Sequence, residues 1–420
     1  MLRRTTAALL LLLATPVIGD VTVSGTLKKW HPIIVDNSGA TATLSEAQYK
    51  PNPFLDFRYN VIFTSPGGTE YTVPGYFAGD GQGSGIGSVW RAKFSADEVG
   101  EWQYRVSFRS GENISVSDDE GTALPSDGEA GSFFVEENSP DDPGFLALGR
   151  LQYTGEHYLK FADGPYYLKG GVDSPENFFG YAGFDNTENQ PGGINTGVLF
   201  QGLHHYESHI ADWQEGDPLF TNSANPDGAK GIIGAINYLA SEDINAMYFL
   251  PMNLGGDGRD TYPFIKPSGS TYDNTHYDIS KLYQWSIVLD HLQRKGLAVQ
   301  FVLAETEIDN TNWFDDGELN VEHKLFFREL IARYSHLMAV KWNLSEESRM
   351  GWRRHKEYAA YIAKTDWAEF PIAVHTTKDL PTRQYNALMG DTLFTASSIQ
   401  ASTANVGSFT EEWRQKSADA

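Results

Sequence analysis

LMAVKWNLSEES, residues 337–348, decides the reading of this chain. It opens as a short apolar run and ends in an amide, Asn343, followed by two adjacent carboxylates, Glu346 and Glu347. Just before it, EHKLFFRELIARYSHL (322–337) carries Leu325, Phe326, Leu330, Ile331 and Tyr334 at helical spacing. A helix that feeds a buried strand, which then spills polar residues at its C-terminal end, is the repeating unit of a β/α barrel. In that architecture the loops after the strands form the active face.

Outward from this stretch, apolar runs alternate with amphipathic helices from about residue 148 to 420, which predicts parallel strands. Strand ends are predicted within 166–177, 244–253, 297–309, 337–347, 371–377 and 393–402, and helices over 228–243, 279–296, 322–337 and 354–367. That makes about six of the eight units of a TIM-type (β/α) barrel, so the barrel is read as C-terminally truncated. Residues 20–138 have another texture: FRYNVIFTS (57–65), WRAKFS (90–95), EWQYRVSFR (101–109) and SFFVEE (132–137) alternate with Gly, Pro and Asp turns. An immunoglobulin-like β-sandwich is the natural packing for such strands. The polar, Pro-rich NSPDDPGF (138–145) reads as the linker, with bounds set at 139–147. Trp30, Trp90 and Trp102 fit either a sugar-stacking platform or, more often for such residues, a sandwich core.

Residues 1–19 read as a signal peptide: Arg3 and Arg4, then an apolar run too short to span a bilayer. The expected location is therefore secreted or periplasmic, with no membrane association after cleavage. Across 420 residues Lys and Arg number 32 against 55 Asp and Glu, a net charge of −23 that repels nucleic acid. With 40% hydrophobic and 13% aromatic residues the chain is not disordered. Cysteine is absent, which excludes disulfides and thiolate sites and fits a bacterial export product. Oligomeric state is not legible.

Several runs resemble a known arrangement. NPFLDFRYNVIFTSPGG (52–68), GYFAGDG (75–81) and GEWQYRV (100–106) resemble a β-sandwich module of unknown function found ahead of bacterial glycoside-hydrolase barrels. GGVDSPENFFGY (170–181), HHYESHIADW (204–213), NYLASEDINAMYFLPMNLGGDG (237–258), HYDISKLYQW (276–285), ETEID (305–309) and WNLSEES (342–348) resemble the barrels that follow it, of the clan A type. The resemblance implies retaining hydrolysis of O-glycosidic bonds in a polysaccharide or oligosaccharide. It places a general acid/base on Glu346 or Glu347 and implies a nucleophilic carboxylate on a seventh strand, beyond Ala420. A non-catalytic carbohydrate-binding protein is the alternative.

Retaining hydrolysis needs two carboxyls roughly 5–5.5 Å apart. Neighbouring residues on an extended strand point to opposite faces, so only one of Glu346 and Glu347 can face a substrate if the strand persists. Counting back from the strand favours Glu346. Glu305, Glu307 and Asp309 share a face if extended, and Glu305 is the substitute second carboxylate. Further candidates for substrate contact are Asp173, Glu176, Asn177, His204, His205, Asn253, Asp257, Asn343 and His375, each also open to a structural reading. His205 and His209 have helical i, i+4 spacing, but no Glu follows His205 as a zinc-protease signature requires. Neither a metal nor a cofactor is expected.

Overall fold

The computed structural model describes residues 19–172, 176–188, 202–220, 227–255, 260–266, 272–347, 349–377, 381–401 and 404–418. The N-terminal strands are β1 (Asp20–Gly25), β2 (Pro32–Ser38), β3 (Leu44–Ser45), β4 (Phe57–Thr64), β5 (Glu70–Pro74) and β6 (Tyr76–Phe77). They continue with β7 (Ile86–Gly87), β8 (Trp90–Ser95), β9 (Gly100–Ser110), β10 (Thr122–Ala123) and β11 (Ala130–Val135). One sheet runs β1-β2-β8-β6 and a second β10-β9-β4-β5, with β11 also on β9. Strict alternation along β4, buried at Phe57, Tyr59, Val61 and Phe63, turns one face inward. Across the gap Phe63 stacks on Phe94 at 4.3 Å, and Trp90 meets Phe108 at 4.9 Å. Trp30, Trp90 and Trp102 are all buried, so they are core and not a sugar-stacking platform.

After a short hairpin, β12 (Leu151–Gln152) and β13 (Lys160–Phe161), five parallel strands form one sheet in sequence order. These are β14 (Gly171–Val172), β15 (Ala246–Phe249), β16 (Ala298–Val302), β17 (Val340–Asn343) and β18 (Ile372–Ala373). Among the described residues the sixth predicted strand is reduced to a single parallel bridge between His375 and Ser398. The helices are α1 (Gly228–Ser241), α2 (Ile279–Arg294), α3 (Val321–Tyr334), α4 (Trp352–Thr365), α5 (Pro381–Leu388) and α6 (Val406–Ala418). The first four fall where the periodicity puts them. Asp278 caps α2, its carboxylate accepting the Lys281 N–H at 3.0 Å. None of these helices is long and apolar enough to cross a membrane.

The sheet curls, because side chains on strands that are not neighbours meet on one face. Tyr248 on β15 reaches within 3.3 Å of His375 Nδ1, past β18, and Gln300 on β16 donates to Ser398 Oγ at 3.2 Å. The other face is oily: Phe301 and Trp342 stack at 5.1 Å, and Phe301 stacks on Tyr334 of α3 at 5.6 Å.

The N-terminal sheets are bonded to the helices outside the parallel sheet. Arg328 of α3 donates to Tyr59 O (3.1 Å) and Asn60 Oδ1 (2.8 Å), and Arg333 Nη2 donates to Phe77 O (3.1 Å). Glu46, after β3, accepts the Ile279 N–H that opens α2 at 2.7 Å. Burial raises the Glu46 carboxyl to about 7, against the lowering effect of that amide. Its folded pKa thus exceeds the unfolded value, so its contribution is full below about 4.5 and lost as pH rises through about 7. Glu46→Gln should remove a stability loss on the order of 2 kcal/mol between pH 4.5 and 7.5. Urea midpoints measured across that window check this.

Candidate active site

The segment after β17 is stapled to both neighbouring strand ends. Asn343 O accepts from Leu303 N (2.9 Å), Leu344 N donates to Ala373 O (2.9 Å), and Glu346 N donates to Ala304 O (2.7 Å). Ser345 is buried, its hydroxyl 3.4 Å from His355 Nε2 of α4. The strand ends at Asn343, so strand alternation does not decide where the two carboxylates go. A turn decides it: Glu347 sits at φ 39°, in the left-handed region. A non-glycine residue there is strained, and such strain persists where surrounding structure enforces it. Glu346 is 9% exposed, whereas Glu347 is half-buried, with Oε1 accepting from Gln400 Nε2 at 2.5 Å.

Asn343 is fully buried, and among the described residues neither its side-chain oxygen nor its nitrogen has a hydrogen-bond partner. An amide in that condition costs roughly 1–3 kcal/mol. Asn343→Leu is therefore expected to raise folding stability by about that much, as chemical denaturation will show.

The other expected residues divide. Glu305, just past β16, is 1% exposed, and its carboxylate accepts the N–H of Thr306. His375 meets Tyr248, as described. Asn177 Oδ1 accepts from His204 Nε2 at 2.6 Å, and the His204 ring stacks on Tyr206 at 5.1 Å. Glu176 uses its carbonyl to accept from Leu250 N at 2.9 Å, tying this turn to the end of β15. Asn253 is a loop pin: its backbone pairs both ways with Thr261 (2.8 and 2.9 Å), and its Oδ1 accepts from Asn310 Nδ2 at 3.4 Å. His205 is exposed in a loop, and His209 lies in a 3-10 turn (Glu207–Asp212) beside Asp212 at 2.9 Å, so the helical spacing assumed for these two is absent. Asp173 and Asp257 lie outside the described residues, as does the Glu307 side chain. Among the described residues no group of three or more His, Cys, Asp or Glu is arranged to hold a metal ion.

Tyr248, Gln300 and His355 were missed. The signal for Tyr248 was present, since alternation in AMYF sets it opposite Met247 and Phe249. Nothing local to His355 marks it, because it reaches Ser345 only through packing of α4.

Residues 26–109 match the model of a domain of unknown function, DUF5060. No curated protein matches the chain. A solved structure from Bacteroides vulgatus, described as a candidate glycoside hydrolase, is similar over 93% of this chain at 17% identity and TM-score 0.58. The chain spans 64% of that protein's length. Weaker likenesses, on which nothing is built, include a Ruminococcus gnavus β-glucuronidase (12% identity, TM-score 0.29, 86% of this chain and 44% of that one). A Rhizomucor miehei endo-1,4-β-mannanase (11%, 0.28, 36% and 53%) is another. The fold is glycoside-hydrolase-like: β-rich sheets followed by an α/β unit.

Proposed function

We propose that this is a bacterial, exported, glycoside-hydrolase-like protein acting on a polysaccharide or oligosaccharide, its parallel strands being part of a clan A type barrel behind an immunoglobulin-like sandwich. The signal peptide (1–19), sandwich (20–138), linker (139–147) and barrel (148–420) boundaries belong to this reading. The observation that carries it is Glu347, a half-buried carboxylate held in a left-handed turn at a parallel strand's C-terminal end and fixed by Gln400. An acid that protonates a departing glycosidic oxygen must be reachable by it, which favours Glu347 over the more buried Glu346 favoured by strand counting. In this reading Glu347 gives its proton to the leaving oxygen and later takes one from water, while Asn343, fully buried, lies out of a sugar's reach. The nucleophile of a retaining pair is expected on a later strand, with Glu305 as its substitute.

One observation favours a second reading, carbohydrate binding without cleavage: Glu305 is buried and already accepts its neighbour's amide. Both are tested by incubating the chain with plant and algal polysaccharides and following reducing ends alongside affinity electrophoresis. New reducing ends, lost in Glu347→Gln, support the hydrolase. Retardation without product selects the binding protein, and neither effect sinks both.

A further inference from the structure

We infer that the seam between the β1-β2-β8-β6 sheet and helices α2 and α3 is a second saccharide site, away from the strand ends. The inference rests on the carbohydrate reading and adds a second place where sugar is held. The seam encloses a cleft of about 410 Å³, within the size range of small-molecule sites. Its floor is the outer face of the sheet, where cross-strand pairing sets Ile34 beside Lys93 and Asp36 beside Arg91, with Tyr76 opposite Arg91. Its roof is Tyr283 and Asp290 of α2 and Arg333 of α3.

The charges are arranged in fixed pairs. Arg91 grips Asp36 with two bonds of 2.7 Å. Arg333 bonds Glu329 at 3.0 Å and covers one face of the Tyr76 ring at 4.1 Å. Asp290 faces His336 at 2.8 Å. Lys93 differs: it is 6% exposed, and its carboxylate partner among the described residues, Asp290, stands 3.6 Å away. A buried ammonium has three protons to place, so donor capacity is left toward the cleft.

Such a lining selects by chemistry. Cations and carboxylates alternate, so no net field draws a polyanion, and the charged walls reject a lipid chain. A neutral polyol suits them, because each hydroxyl both donates and accepts and fixed ion pairs answer with strong bonds of both kinds. The Tyr283 ring, half-buried against Gly83, supplies a face for a pyranose.

Titration calorimetry of the full chain with cellobiose, and separately mannobiose, tests this. The expected result is a binding event that persists in Glu347→Ala and weakens at least tenfold in both Lys93→Met and Tyr283→Ala. Tyr283 is half-exposed, so its variant remains informative if Lys93→Met does not fold. Binding abolished by Glu347→Ala and indifferent to both seam variants overturns the seam site but leaves sugar at the strand ends. No binding of either disaccharide to the wild-type chain also overturns it, while the polysaccharide assay judges the strand-end site separately.

Discussion

Glu347→Gln should lower kcat roughly 10²–10⁴-fold on a polysaccharide substrate if the proposed hydrolase reading holds, the usual worth of a positioned acid. The amide keeps the shape of the carboxylate and can still meet Gln400 after an amide flip, so the fold should survive and KM should change little. The deficit should shrink on aryl glycosides whose phenol leaves without a proton, because those substrates do not need the acid in the first step. Glu346→Gln should behave differently, keeping kcat within about tenfold, because Glu346 is nearly covered and its backbone staples the turn to Ala304. Initial rates on both substrate types for both variants decide the matter. The opposite pattern reassigns the acid to Glu346.

Between pH 6.5 and 4 the protein should lose several kcal/mol of stability through three histidines. His291 faces Asn237 Oδ1 at 2.9 Å, His323 faces the Glu318 carbonyl at 2.9 Å, and His355 lies by Ser345. Burial lowers each to about 4. Each therefore stays neutral in the folded chain while the unfolded chain takes up a proton, so stability falls as pH drops from the ordinary histidine range through about 4. At 1.36 kcal/mol per pKa unit each site is worth on the order of 3 kcal/mol across the window. Urea unfolding at steps from pH 7 to 4 should show the slope, and His291→Gln should reduce it by about a third of the three-site total. An unchanged slope in that variant would falsify the assignment. Because His355 lies beneath Ser345, its protonation should disturb the turn that carries Glu346 and Glu347 before the molecule unfolds. Glu46 acts in the opposite sense over an overlapping window, but three histidines outweigh one carboxyl, so stability should peak near the top of the histidine window, about pH 6.5.

The order of elements was largely legible. Five strands fall within the stretches read from hydrophobic period and α1 to α4 match theirs to within about three residues, because long amphipathic helices and short apolar runs carry strong local signals. The sixth strand was not, since LFTASSIQAS has strand composition but among the described residues forms just the Ser398 bridge and an Ala396 N–H bond to Ile372 O. α5 and α6 went unread, being short or weakly patterned. At the site, residue types and strand ends pointed to Glu346, Glu347 and Asn343, but their orientation did not follow from alternation. The chain leaves the extended conformation at Asn343, and the next residues take directions set by bonds to Ala304 and Ala373, far away in sequence. Whether Asn177 meets His204, or Tyr248 meets His375, is likewise a product of topology.

The bonds that Arg328 and Ile279 make across to Tyr59, Asn60 and Glu46 have a consequence for anyone trimming this gene. Expressing the α/β portion alone would strand a guanidinium on a bare helix flank and leave the first amide of α2 without its acceptor. Such a fragment should come out insoluble, and the two portions of the intact protein should melt together in one transition.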